Sequence, residues 1–223
     1  MIKRLLLVLS AALMLISCSA SRYYSDYTRE DITEDLAFLG PASAIVYMDK
    51  DNRRVFDDSL SLASEELICR LTQEIGVPVA ERITLNDEQK GEAAAFLSHL
   101  KSKSAKERGN VPIPQSLDYL LESSGHRYGI VLFENGMVRD PKGIYKDMAV
   151  SATVAIIVAI ISLGTIIMYS VPYTNISDVT LAVLDSQTDK IVFYNANSSE
   201  DTDPLNEKAL SYQLKSLYAK ILE

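Results

Sequence analysis

Cys18, Cys69, His99 and His126 carry the most reactive side-chain chemistry in this 223-residue chain, so their neighbours come first. A protein-bound metal needs His or Cys at ligand spacing. His99 lies between Ser98 and Lys101 on a helical pattern, and His126 follows Gly125. Neither has a second His or Cys at such a spacing. No Gly-x-Ser-x-Gly elbow, phosphate loop or dinucleotide fingerprint occurs. The carboxylates Asp49, Asp51, Asp57, Asp58, Glu65 and Glu66 sit in turns and on helix faces, where solvation is their ordinary role. A glycosidase-type pair can have its members far apart in the chain, so that chemistry stays open. Cys69 lies within Glu65-Glu66-Leu67-Ile68-Cys69-Arg70-Leu71, a helical pattern in which it is a small apolar filler. A reactive thiol needs a basic or dipole-rich setting. The sequence therefore presents no catalytic residue, no cofactor site and no metal site.

Cys18 is different. Met1-Ile2-Lys3-Arg4 is a charged n-region, and Leu5 to Ile16 is an apolar h-region too short to span ~30 Å of hydrocarbon. This is the layout of a secretory signal, residues 1–17, and it closes on Leu15-Ile16-Ser17-Cys18. That motif has the form of a bacterial lipobox, in which the thiol is acylated (palmitate-type chains) and Cys18 becomes the first mature residue. The alternative is an ordinary signal with an incidental cysteine. Several acyl chains on one residue give stable anchoring at about 0.8 kcal/mol per buried CH₂. Cys69 is then the only other thiol, and no intramolecular disulfide can form. Ser19 rather than Asp after the lipidated residue points to the outer membrane, facing the periplasm, with the inner membrane as the alternative.

Cleavage removes two of the 22 basic residues and none of the 30 acidic ones, which leaves 20 against 30, a net charge of −10. An acidic chain of this kind is not a nucleic-acid binder and is not drawn to anionic membranes by its overall charge.

Met148 to Val171 runs MAVSATVAIIVAIISLGTIIMYSV without a charged residue. As a transmembrane helix, its Ile, Val and Leu residues favour insertion by roughly 3–6 kcal/mol before Ser, Thr and Gly reduce it. Ser151, Ala155 and Ala159 form a small-residue stripe suited to close helix contact. A full crossing, however, would separate residues 172–223 from the strands they should complete. A membrane hairpin bent near Gly164 keeps the domain on one side, but its arms lack the alternating polar pattern of a pore strand. A hydrophobic helix that starts and ends on the periplasmic side also keeps the domain whole, provided that lipid or a partner covers it. This last reading is the one adopted.

The remaining elements must form the domain. Residues 18–35 read as a tether, whose Tyr23, Tyr24 and Tyr27 either rest at the headgroup level or dock on the domain. Ser43 to Met48 is β-prone and bounded by Gly40-Pro41 and Asp49-Lys50-Asp51-Asn52. A helix follows, with Leu60, Ala63, Leu67, Leu71 and Ile75 at helical steps, Asp57 or Asp58 as N-cap and Gly76 as stop. Val77 to Ala80 reads as a short edge strand because of Pro78. Asn86-Asp87-Glu88 opens a helix with Ala93, Phe96, Leu97 and Leu100 inward, and residues 101–108 are its charged tail. Residues 115–123 form a short helix stopped near Gly125. Tyr128 to Phe133 is a strand, and Asn135-Gly136 signals a tight hairpin to a partner at Met137-Val138. Residues 179–184 and 191–194 form a hairpin. Residues 205–222 form a final amphipathic helix with Leu210, Leu214, Leu217 and Ile221 inward. Strands alternating with helices predict an α/β fold: a single mixed sheet with packed helices, plus one hydrophobic, helical insertion at 148–171. The domain would comprise 36–147 and 172–223.

This layout is similar to that of the periplasmic lipoproteins that share a fold with the amino-terminal domain of TolB and with the curli-secretion lipoprotein CsgG. It is also similar to a group of envelope lipoproteins described as auxiliary to ABC-type transport. The pieces that carry the resemblance are Cys18, the strand at Ile45 to Met48, and the helix ending in Gly76-Val77-Pro78-Val79. The strand Tyr128-Gly129-Ile130-Val131-Leu132 and the hairpin of residues 181–194 complete it. The resemblance implies a non-enzymatic α/β domain that works by assembly with other envelope proteins. In the curli-secretion member, inserted segments form a membrane barrel, a pattern this chain's apolar run does not share. The expected partners are the membrane, through Cys18 and residues 148–171, and a second copy or another envelope protein. The alternatives are a subunit of an envelope transport or secretion complex, and an envelope hydrolase.

Overall fold

The computed structural model describes residues 22–24, 27, 29–143 and 174–222. Its centre is one seven-stranded mixed sheet. In chain order the elements are β1 (Arg22–Tyr23), α1 (Arg29–Thr33), β2 (Leu36–Met48), β3 (Arg54–Phe56), α2 (Asp58–Ile75), β4 (Glu81–Ile83) and α3 (Asp87–Ser102). They continue with α4 (Ala105–Arg108), α5 (Gln115–Ser124), β5 (Tyr128–Arg139), β6 (Ile176–Asp185), β7 (Lys190–Glu200) and α6 (Glu207–Leu222). The strand order is β1-β7-β6-β5-β2-β3, with β4 also on β2. The β2–β5 and β2–β4 pairs are parallel, whereas β2–β3, β5–β6, β6–β7 and β7–β1 are antiparallel. The expected α/β fold, a single mixed sheet with helices packed on it, is the fold observed.

Period-two alternation sends Ile130 and Leu132 of β5 to one face and Val131 and Phe133 to the other. The first face packs under α2 and α6, with Ile68, Leu71, Leu214 and Tyr218 in the layer. The second packs under α3 and α5, with Phe96, Leu97, Leu100 and Leu117 in the layer. Both faces are apolar because both are covered, which is why β5 and β6 read as near-continuous hydrophobic runs. The helix at Asn86 is as expected. Asn86 and Gln89 form a reciprocal capping box, and Ala93, Phe96, Leu97 and Leu100 are buried. The C-terminal hairpin and final helix also form where expected.

Four elements differ from the sequence reading, each for a physical reason. First, β2 is 13 residues long and runs straight through Gly40-Pro41. The chain bulges between Leu39 and Pro41, and a bulge is where a strand tolerates proline. Second, the Asn135-Gly136 pair makes no turn. It lies inside the unbroken strand β5, between Ala44-Ile45 and Ser177-Asp178. A Cβ on Gly136 would come 2.5 Å from Ile45 Cδ1 and 2.9 Å from Pro204 Cβ, so close packing sets the glycine. Third, the short strand after Pro78 forms at Glu81–Ile83, parallel to Ala37–Leu39. Fourth, α2 is rotated. It buries Ser61, Ser64, Ile68, Leu71 and Thr72 and leaves Ala63 exposed. Its Asp57 cap and left-handed Gly76 stop are as expected. The N-terminal tyrosines are also placed. Arg22–Tyr23 pair with Tyr194–Phe193, Tyr24 is buried, and the Tyr27 hydroxyl donates to Asp185 at 2.9 Å.

Candidate functional site

The serines that rotate α2 surround the most unusual side chain in the sheet. Glu134 lies on β5 on the α2–α6 face and is completely buried. Ser64 of α2 donates to its Oε2, and Ser177 of β6 lies 2.7 Å from its Oε1. Ser43 and Ser64 share a hydrogen bond of 2.7 Å. On the other side, Ser177 Oγ is 2.9 Å from Gln213 Oε1, and Gln213 Nε2 donates to the Ser177 carbonyl at 3.2 Å. The result is a continuous row, Ser43–Ser64–Glu134–Ser177–Gln213, running from the β2 edge to α6.

Counting protons favours a neutral row. The Ser177 hydroxyl has one hydrogen but sits between Glu134 Oε1 and Gln213 Oε1. The Gln213 amide cannot be turned, because its NH₂ is committed to the Ser177 carbonyl. Each contact becomes a full two-centre bond when Glu134 is protonated and donates to Ser177, which then donates to Gln213; with an ionised Glu134 the single Ser177 hydrogen is shared between two acceptors. The electrostatics agree. Burial pushes the carboxyl up to about 7, against the pull of the Ser64 and Ser177 hydrogen bonds, and nearby Asp203 and Asp178 push the same way. Chemically, the row can hold a proton at Glu134 and pass it along hydroxyls to Ser43.

Ser43 opens onto a groove of about 590 Å³ at the β2 edge, also lined by Ala42, Leu62, Glu65, Lys90 and Phe133. The groove exists because β4 pairs with β2 only at residues 37–39 and β3 only at 46–48. In the gap, α2 supplies the missing acceptors. Ser43 N donates to Glu65 Oε1 at 3.2 Å and Ile45 N to Ser61 Oγ at 2.9 Å. Lys90 of α3 closes on Glu65 at 2.6 Å.

The opposite end of the sheet carries a second cluster. Asp185 is fully buried and accepts from Arg127 at 3.0 and 2.9 Å, from Tyr27 at 2.9 Å and from Thr188 at 3.0 Å. Burial alone would raise its carboxyl, but these donors hold it below the usual range. His126 sits between Asp35 (2.6 Å) and Glu81 (3.1 Å). The Asp35 hydrogen bond, more than Glu81, raises the imidazole against the effect of burial. Asp35 is lowered in turn, first by the Arg127 amide and then by His126. This cluster ties the N-terminal segment, β5 and the β6–β7 turn together.

Cys69 is half-buried beside the α2–α6 core, and burial pushes its thiol up, as suits a filler. Asp57 caps α2, Asp49 folds the β2–β3 turn, and Glu65 serves the groove. His99 lies in the last turn of α3. Cys18, Ser151, Ala155, Ala159 and Gly164, with the signal of residues 1–17 and the insertion at 148–171, lie outside the described residues. Among the described residues, no helix is long and apolar enough to cross a membrane, and no group of His, Cys, Asp or Glu could hold a metal ion. The sequence reading missed Glu134, Asp185 and Lys90. A carboxylate directly after Tyr128–Phe133 was the available signal for Glu134, and the hairpin reading of Asn135-Gly136 hid it by placing Glu134 at a strand end.

The fold and these two clusters define an α/β domain with a buried protonatable carboxyl, a row of hydroxyls leading from it to a groove, and a charged lock at the other end of the sheet. No family model and no curated protein matches the chain. Among solved structures it is similar to a PelC dodecamer from Paraburkholderia phytofirmans, at 10% identity and a TM-score of 0.39, covering 92% of this chain and 97% of that one. It is also similar to lipoprotein GNA1162 from Neisseria meningitidis, at 8% identity and a TM-score of 0.32, covering 85% and 97%. A third likeness is to the LpoB C-terminal domain from Salmonella enterica, at 7% identity and a TM-score of 0.27, covering 74% and 82%. Likenesses at these scores carry no argument about this chain's activity.

Proposed function

We propose that the chain is a lipid-anchored, non-enzymatic binding or assembly module of the bacterial envelope, held to the periplasmic side of the outer membrane through Cys18 and residues 148–171. The observation that carries the reading is the docking of the segment behind Cys18. Arg22–Tyr23 form an edge strand, Tyr27 bonds to Asp185 and Ile32 is fully buried, so the folded body begins only four residues after the acylated position. Those residues reach at most about 14 Å. A domain on so short a lead works at the membrane surface, where it meets other envelope proteins or copies of itself. The chemistry of the two clusters supports a structural role for them. Glu134 is closed to solvent and to substrate, and the Asp185 carboxylate is fully occupied by donors. The layout likeness to the TolB and CsgG group belongs to the same reading.

Two measurements test it. The Cys18→Ala chain should leave the membrane fraction or depend on residues 148–171 alone to stay there, and it should lack acyl chains by mass spectrometry. The full chain, cross-linked in membranes and sized in detergent, should run as a defined complex. A monomeric chain that hydrolyses glycan or peptide substrates refutes the assembly reading.

A further inference from the structure

The two routes by which the chain leaves the described structure point to the same end of the sheet. Before β1 the chain comes from the Glu200 end of β7, because Arg22 pairs with Tyr194 and Tyr23 with Phe193. After β5 it passes Gly143, where an added Cβ would lie 3.1 Å from the Asp49 carbonyl oxygen and 3.3 Å from Lys50 Cα. It re-enters at Thr174, whose N–H donates to Asp201 at 2.8 Å, just beyond Glu200. Arg139 bridges exit and return, with its N–H on Asn175 Oδ1 at 3.0 Å and its Nη2 on Asn52 Oδ1 at 2.7 Å. The described chain therefore stops at Gly143 beside the β2–β3 turn and resumes at Thr174 at the same end of the sheet.

That turn is built unlike its surroundings. Every residue from Lys50 to Phe56 is exposed. Val55 is 59% and Phe56 54% exposed, although both sit in a strand. Lys50, Arg53 and Arg54 lie with them, together with Asp49 and Asp51, and Arg53 is ion-paired with Asp49 at 2.8 Å. The Asp49 carboxylate is turned inward, accepting from the amides of Asp51 and Arg53 at 2.8 and 3.0 Å and from Arg53 Nε at 2.8 Å. Among the described residues, neither Lys50 nor Arg54 is ion-paired. Exposed apolar side chains with cations beside them suit the boundary between acyl chains and headgroups.

We propose that the β2–β3 turn is the membrane-contact face of the domain, with Val55 and Phe56 entering the headgroup layer of a phospholipid bilayer and Lys50 and Arg54 meeting lipid phosphates. The sheet then stands on end, with the Asp185–Arg127 cluster furthest from lipid. The inference deepens the membrane-held reading above, and it rests on where the chain leaves the described domain and on the exposed apolar side chains of the turn.

The chain has no tryptophan, so one can be introduced as a unique reporter. Phe56→Trp and Tyr119→Trp replace exposed rings, Tyr119 being 67% exposed on α5. Each full chain, purified from membranes in detergent, is returned to vesicles of phosphatidylethanolamine and phosphatidylglycerol. The Phe56→Trp emission should shift to the blue, fall about twofold with brominated acyl chains and be shielded from acrylamide, as for a ring ~5–10 Å into the boundary. The Tyr119→Trp emission should respond to acrylamide alone. Adding Lys50→Glu and Arg54→Glu to Phe56→Trp should weaken the brominated-lipid quenching. Equal acrylamide quenching of the two reporters overturns the proposal, and so does a Phe56→Trp signal shielded from both quenchers, which would place protein over the turn. Lipid quenching in a chain that forms no complex would leave the contact standing and remove the assembly reading.

Discussion

Replacing Glu134 with Gln should uncouple the stability of this domain from pH. The folded carboxyl is pushed up to about 7, whereas an unfolded glutamate titrates near its ordinary 4.5. Below 4.5 both states are protonated and the neutral row contributes fully. Between 4.5 and 7 the unfolded chain has released its proton and the folded one has not, so stability falls as pH rises. Each pH unit in that window costs about 1.4 kcal/mol, a loss of about 3 kcal/mol that is complete just above pH 7. The Gln side chain keeps the shape, accepts from Ser64 and donates to Ser177 without ionising. Urea unfolding at pH 5, 6, 7 and 8 reads the difference between the two chains, in which His126 and the other carboxylates cancel. At pH 5 the variant should match the parent to within about 1 kcal/mol. At pH 8 it should be the more stable by about 3 kcal/mol. Parallel stability curves would refute the assignment of a neutral, buried Glu134. Glu134→Ala is the contrasting control. It strands the Ser64 and Ser177 hydroxyls and opens a cavity, and should cost about 2–4 kcal/mol at every pH.

Asp35→Asn removes the main support of the His126 imidazolium, so the histidine resonance should titrate at lower pH than in the parent, by NMR. Because the folded imidazole is raised, its stabilising contribution is complete below about 6.5 and is lost as pH rises through the folded value; in the variant that contribution should be smaller and its loss should be finished at lower pH. Asp185→Asn leaves Arg127 without its bidentate partner and weakens the tie to Tyr27. With Arg127 35% exposed, the expected cost is about 2–3 kcal/mol, below that of a fully buried pair, read as a lower urea midpoint. Gly136→Ala puts a Cβ against Ile45 and Pro204 and should cost about 1–3 kcal/mol by overpacking, whereas a turn glycine would tolerate alanine only through its backbone angles.

The α/β class, α3, the C-terminal hairpin and α6 were legible because their signals are local. Capping residues and one apolar stripe define α3, and alternation across a polar turn defines the hairpin. The errors fall where a distant contact decides the outcome. Asn135-Gly136 reads as a turn in isolation, and only the approach of Ile45 and Pro204 shows why a glycine stands inside a strand. The face of α2 was misread because Ser61 and Ser64 are polar by composition yet buried by function, one serving the open β2 edge and the other Glu134. Glu134 itself could not be placed without its strand continuing past Asn135. The tyrosines of residues 23–27 left two readings open, and the pairing with β7 decides for docking.

That pairing joins the beginning of the sheet to its end. Arg22 meets Tyr194, and Tyr27 meets Asp185 and Thr188, across nearly the whole length of the chain. Contacts so remote in sequence close late, because the intervening loop must be gathered first. On synthesis in amino-to-carboxyl order, β1 would have no neighbour until the last hairpin arrives. Maturation of the fold would therefore be timed by completion of the chain, and a chain stalled before residue 190 would present β6 as a bare edge.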